Sequence, residues 1–147
     1  MNTIASAPGT YVLMLECKRA ASVSIGKLGQ INTCPGYYLY VGSAFGAGGI
    51  QARVDHHSRP ALKPHWHIDY LRTAAGLEAA WCKYDARLEH EWAQALNRCE
   101  AMDAPLKGFG SSDCDCSTHM FFSKTRPTLE SLESVLNTRL SVVKLSV

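Results

Sequence analysis

The chain has 147 residues, 46% hydrophobic, 19% charged and 9% aromatic, a length that suits one domain, because a single core organises about 100–150 residues. That apolar content excludes intrinsic disorder, and no apolar run reaches the roughly 18 residues that a bilayer span needs. Fifteen Lys+Arg against thirteen Asp+Glu leave a net charge of only +2, too little to mark a nucleic-acid binder by bulk charge.

Residues 1–8 carry neither a basic start nor a long apolar stretch, so no secretory signal is expected. The expectation is a soluble, cytoplasmic, single-domain protein with no membrane association. Its six cysteines are then expected as reduced thiols rather than as a disulfide framework. Charge becomes informative once it is located. Between Arg53 and Arg72, Arg53, Arg59, Lys63 and Arg72 stand against Asp55 and Asp69, and His56, His57, His65 and His67 lie in the same stretch. The surplus of two in this window equals that of the whole chain. An anion would be handled here.

In chain order, Gly9–Cys17 is rich in β-formers and predicts a strand. Ser22–Lys27 is a shorter strand candidate closed by Gly29, and Pro35-Gly36 turns the chain into a strand over Tyr37–Val41. These three segments predict a small antiparallel sheet. Gly42–Gly49 reads as a flexible loop that permits close approach of a ligand. A helix is expected from Ile50 to Pro60, with Ile50 and Val54 on its apolar face and Arg53 and His57 one turn apart on its polar side. A short helix follows Pro64, a strand covers Leu77–Tyr84, and Arg87–Cys99 is a helix with Leu88, Trp92, Ala95, Leu96 and Cys99 in its stripe. After a Gly/Ser/Asp/Cys loop over Lys107–Ser117, Thr118–Ser123 predicts a last strand. Thr128 then caps a final helix burying Leu129, Leu132, Val135, Leu136 and Leu140. The expected class is α+β, a small antiparallel sheet flanked by helices.

Individually, the chemically capable residues are ordinary. A Tyr in a strand is most often a packing residue, and one or two Glu on a helix are most often surface charge. Their combination is more specific: Gly9-Thr10-Tyr11 on the first strand, Tyr40-Val41-Gly42 on the second, Arg53 and His57 on the next helix, and Glu89 or Glu91 on a later one. This arrangement resembles the GIY-YIG nuclease superfamily over a core of about residues 9–99. Gly42-Ser43-Ala44, the run His65–Leu71 and the loop Gly108–Cys114 narrow the likeness to the Uri-type endonuclease branch. In some archaea that branch is fused to endonuclease III-like glycosylases. The segment 105–147 then holds the branch's Cys/His loop and a C-terminal strand and helix. Two positions depart from the pattern. Thr10 replaces the middle Ile, a β-branched exchange expected to cost little, and His56 stands where the branch has Arg.

The resemblance implies a divalent-metal-dependent endonuclease that hydrolyses DNA phosphodiesters in repair or processing. The residue chemistry is compatible with that role. Tyr11 or Tyr40 would activate water, Arg53 would clamp the phosphoryl oxygens, and His57 would orient a Tyr hydroxyl or move a proton. Glu89 would hold Mg²⁺ or Mn²⁺, hard ions that suit a carboxylate and keep several waters. Gly42, Ser43, Arg59, Lys63, His65, Trp66 and His67 are the candidate substrate contacts. Trp66 is the aromatic residue to test for stacking on a base, whereas Trp81 and Trp92 are expected in the core. DNA, single-stranded or damaged rather than long duplex, is the expected partner, with a repair protein beside it.

A second constellation, His65, His67, Cys114, Cys116 and His119, has nitrogen and sulfur donors that suit Zn²⁺. However, Cys114 and Cys116 are closer in sequence than cysteine ligands of structural zinc sites usually are. It motivates one alternative, a zinc-stabilised interaction protein. A non-catalytic nucleic-acid-binding module is the other.

Overall fold

The computed structural model describes residues 6–59, 63–64, 66–110 and 116–145. Gly9–Cys17 forms strand β1, nearly every residue of which is buried. It is followed by β2 (Ala21–Ile25), β3 (Gly29–Thr33), β4 (Gly36–Ala44), α1 (Gly49–Ser58), α2 (His67–Leu71), β5 (Gly76–Tyr84), α3 (Glu89–Arg98), β6 (Met120–Ser123), α4 (Leu129–Leu136) and β7 (Ser141–Val142). Five strands form an antiparallel sheet in the order β6-β4-β1-β5-β7, and β2 pairs with β3 in a separate hairpin. The class is α+β, as the sequence pattern predicts.

Because β1 is covered on both faces, its apolar residues run almost continuously, and the strand pleat divides them into two cores. Tyr11, Leu13 and Leu15 join Tyr38 and Tyr40 of β4, Ala80 and Cys82 of β5, and Ile50 and Val54 of α1. Val12 and Met14 face the other way, into a core with Leu39, Val41, Trp81, Trp92, Leu96 and Leu132. One face of the sheet therefore packs against α1 and α2, and the other against α3 and α4. Among the described residues no helix is long and apolar enough to cross a membrane.

Four expectations about the elements are corrected. Residues Gly29–Thr33, read only as a boundary, form β3, because Ile31 and Thr33 alternate inward as β2's partner. The β2–β3 hairpin stands outside the main sheet rather than within it. The loop expected from Gly42 starts later, since β4 continues pairing with β1 as far as Ala44. The last helix ends at Leu136, where Asn137 takes a left-handed conformation, so Leu140 is buried from beyond the helix on the way into β7.

The entry into α3 is tied directly to β1. The buried Thr10 hydroxyl donates to the Ala86 carbonyl at 2.8 Å and accepts from the Leu88 amide at 2.9 Å. Thr10 is thus more than a β-branched substitute: it fixes the turn that delivers Glu89. Replacing it with the isosteric Val would leave a donor and an acceptor unpaired, costing about 1–3 kcal/mol. Thr10→Val is expected to lower the denaturant midpoint accordingly. An unchanged midpoint would show that the hydroxyl does not hold the turn.

Candidate active site

The antiparallel register sets Tyr11 opposite Gly42 and Leu13 opposite Tyr40, and both tyrosines point to the α1 face. Their rings lie 6.4 Å apart. Helix α1 crosses this face with Ile50 and Val54 buried, which brings Arg53 and His57 over the tyrosines. Gly49, at φ 64°, begins the helix where the preceding chain presses closest, and a Cβ there would meet the Ala7 carbonyl at 2.3 Å.

The central contact joins Tyr11 Oη to His57 Nε2 at 2.9 Å, with both side chains only 1% exposed. Burial lowers the His57 pKa to about 3, reinforced by the neighbouring His56 ring and the Arg72 guanidinium. His57 is therefore neutral at pH 7, and in its Nδ1–H tautomer it would accept from the Tyr11 hydroxyl through Nε2. Burial also raises both tyrosines. For Tyr11 the neighbouring Tyr40 adds to the rise and Arg53 opposes it, whereas for Tyr40 the charge of Glu89 adds to it. A free phenolate is disfavoured at either position, so Tyr11 can act only through the proton path that His57 offers.

Arg53 is held from two sides. Its Nη1 donates to the Ser43 carbonyl at 3.2 Å, and its guanidinium lies 4.6 Å from the Trp66 ring centroid. Trp66 is half-buried and also packs against His56 at 4.9 Å. The residue singled out for base stacking therefore supports the arginine from the side. Gly42 is corrected. It is buried, and a Cβ there would approach the Tyr11 ring to 2.5 Å, so its smallness makes room for Tyr11 rather than for substrate.

Glu89 opens α3 with its side chain 27% exposed, and Oε2 lies 2.9 Å from Nδ1 of the buried His119. Burial pushes its carboxyl upward, but the hydrogen bond and charge of His119, with help from Ser43 and His90, bring it below the usual range. Glu91, the other candidate, is exposed. The structure thus places Glu89 within electrostatic reach of both tyrosines, while sequence spacing gave no sign of His119 as its partner. Glu89 presents a preformed, partly solvated carboxylate, a donor that fits a hard divalent ion with a water-rich shell.

The described members of the Cys/His set do not converge. His67 Nδ1 accepts from the Gly110 amide at 2.8 Å, Cys116 Sγ lies 3.4 Å from His90 Nδ1, and His119 faces Glu89. His65 and Cys114 lie outside the described residues. Among the described residues one group does bring metal-ligating atoms together, His56, His57 and Asp69, within 4.8 Å of one another. Asp69 is buried and already serves several donors: it accepts from the Trp66 amide at 3.0 Å, and it lies 3.3 Å from His56 Nε2 and 3.5 Å from Arg72 Nη1. Arg72 supplies the positive charge that a cation would otherwise bring. Arg59 and Lys63 are exposed.

Residues 10–141 match the family model described as "Domain of unknown function DUF123". The chain belongs to the DUF123 family. No curated protein and no solved structure matches it. The DUF123 match begins at Thr10 in β1 and ends at Ser141 in β7, so it spans every residue of the tyrosine, arginine and glutamate cluster.

The buried neutral His57 makes this DUF123 domain acid-sensitive. The unfolded chain binds a proton near pH 6.5, while the folded chain refuses it down to about 3. Between those values the unfolded state holds more protons, so stability falls as pH drops, by up to about 1.4 kcal/mol per unit. From neutral pH to about pH 5, the wild type is expected to lose about 2 kcal/mol more unfolding free energy than His57→Gln. Parallel losses in the two proteins would place the acid sensitivity elsewhere.

Proposed function

We propose that this domain is a phosphodiesterase acting on DNA, a GIY-YIG-type endonuclease of the Uri branch that works with a divalent ion in repair or processing. The observation that carries the reading is the hydrogen bond from Tyr11 Oη to His57 Nε2, made beside Arg53. A packing tyrosine needs no buried neutral histidine as acceptor, whereas a water-activating hydroxyl needs one.

In this mechanism Arg53 draws a phosphodiester to the mouth of the site and spreads its fork over two nonbridging oxygens. Trp66 and the Ser43 carbonyl hold the guanidinium in place. Tyr11 gives its proton toward His57 and so turns an oxygen lone pair toward the attacking water. The negative phosphate brought in by Arg53 favours protonation of the Tyr11–His57 couple, offsetting the burial that keeps His57 neutral in the free protein. Tyr40 fills the wall beside them. Glu89 would hold Mg²⁺ or Mn²⁺, which would supply Lewis-acid polarisation of a phosphate oxygen and stabilise the leaving oxygen. His119, by holding the carboxylate from behind, fixes which way it faces.

The test is cleavage of labelled single-stranded, duplex, nicked, flap and abasic DNA, with and without Mg²⁺ or Mn²⁺. Metal-dependent cutting is expected. Tyr11→Phe should lower its rate by about 10²–10⁴-fold, and Arg53→Ala by about 10²–10³-fold. Glu89→Gln should raise the metal concentration required. Wild-type-like cutting by all three variants would refute the assignment. DNA binding without cutting on any substrate would favour a binding module.

A further inference from the structure

Arg87, in the turn between β5 and α3, lies with its guanidinium carbon 3.8 Å from the ring centroid of Phe45, the residue just after β4. That is van der Waals stacking distance, and closer than Arg53 stands to Trp66 at 4.6 Å. Phe45 is half-buried and Arg87 is exposed, so the order outward is ring, guanidinium, solvent. Among the described residues no carboxylate forms an ion pair with Arg87, although Asp85 is only two positions away. Its charge and its N–H donors are therefore not spent within the protein.

Both partners stand on fixed backbone. Asp85 takes a left-handed conformation at φ 57°, with its amide on the Pro8 carbonyl at 2.8 Å. The buried Thr10 hydroxyl then holds Ala86 and Leu88, the residues on either side of Arg87. Phe45 follows the buried Ala44, the last paired residue of β4, and precedes a turn closed by the Gly49 amide on the Gly46 carbonyl at 3.2 Å. An arginine anchored in this way loses less freedom on binding than one on a mobile loop. The pair also adjoins the candidate active site. Ser43 accepts from Arg53 through its carbonyl and hydrogen-bonds Glu89 through its side chain. Phe45 lies two positions beyond Ser43, and Arg87 two positions before Glu89; two residues of extended chain span at most about 7 Å. Lys83, opposite Thr10 on β5, adds a second exposed cation at this end of the sheet.

We propose that the Arg87–Phe45 pair is a stacking subsite for an unpaired base of the DNA strand whose phosphodiester Arg53 holds, an inference that rests on the phosphodiesterase reading above. A guanidinium plane can carry a base on one face while the other rests on an aromatic ring, and the N–H groups at its edge stay free for the strand's phosphates. A phosphate alone would be served as well by a lysine. A ring-backed guanidinium without a carboxylate partner fits a flat, uncharged group attached to an anionic backbone. A base inside a duplex is stacked on its neighbours and must leave the stack to be reached, so the subsite selects a single strand or a base displaced from its pair.

The experiment measures binding of the full chain to two labelled single strands of equal length, one of mixed sequence and one fully abasic, with divalent ions chelated so that neither is cut. The two strands carry the same charge and differ only in their bases. The wild type is expected to prefer the base-bearing strand by about tenfold. Arg87→Lys, which keeps the charge but loses the plane, and Phe45→Leu should each bring that ratio close to one and change affinity for the abasic strand little. Arg53→Ala should weaken binding of both strands and leave the ratio as it is. A wild-type ratio near one, or a ratio that survives both Arg87→Lys and Phe45→Leu, would overturn the subsite and leave the phosphodiesterase reading standing. No binding of either strand by the wild type would also overturn the subsite, while metal-dependent cleavage decides the phosphodiesterase reading separately.

Discussion

The two-residue pleat of β1 places Thr10 and Tyr11 on opposite faces of the sheet, and the candidate site is built outward from that pair. Tyr11 enters the α1 side and meets His57. Thr10 enters the α3 side and holds the turn in front of Glu89. Because β1 is the central strand and pairs along its length with β4 and β5, this alternation cannot slip by one residue without exposing both cores. Two groups from opposite faces are thereby brought to the same end of the sheet, near enough for Glu89 to act on both tyrosines. Gly42 completes the arrangement by leaving room for the Tyr11 ring.

The electrostatics of the site rest on a division of labour. On one side, His57 and the tyrosines are so deeply buried that their charged forms are suppressed. On the other, Glu89 stays ionised because His119 and Ser43 compensate its partial burial. Between them Arg53 rests on Trp66. Beneath, Asp69 gathers His56, Arg72 and the Trp66 amide, which orders the wall behind the helix that carries His57. In the proposed mechanism, a neutral proton path next to a fixed cation and a fixed anion is what an incoming phosphate group would meet.

Local signals in the sequence were sufficient for the frame. The β-rich run at Gly9–Cys17, the Ile50 and Val54 pair and the apolar stripe from Leu88 to Cys99 each predicted an element, whereas His57, expected on the polar side of its helix, is buried with Ile50 and Val54. The tyrosine, arginine, histidine and glutamate positions were singled out by the resemblance to a known family, not by local pattern, which left Glu89 and Glu91 undivided. What stayed hidden was long-range. Thr10 and Leu88 are 78 positions apart, and no local pattern shows that a threonine hydroxyl will cap a turn that far along the chain. His119 looked like a zinc donor because ligand type can be read from sequence, whereas its pairing with Glu89 depends on where β6 docks beside β4. Trp66 was singled out as a stacking residue by its type, but no local pattern shows that Arg53 lies against its ring. The β3 and β7 strands were missed because one is a short alternating segment and the other has only two residues.

The central claim is that Tyr11 and His57 act as one proton-accepting unit. A double-mutant cycle on the rate of metal-dependent DNA cleavage tests it most directly, with Tyr11→Phe, His57→Gln and the double variant compared at saturating metal. Residues that act as a unit are strongly non-additive. The account predicts that the second substitution costs little once the first is made, so that the double variant is about as slow as the slower single one. Rate losses that multiply, as for two independent groups, would contradict it.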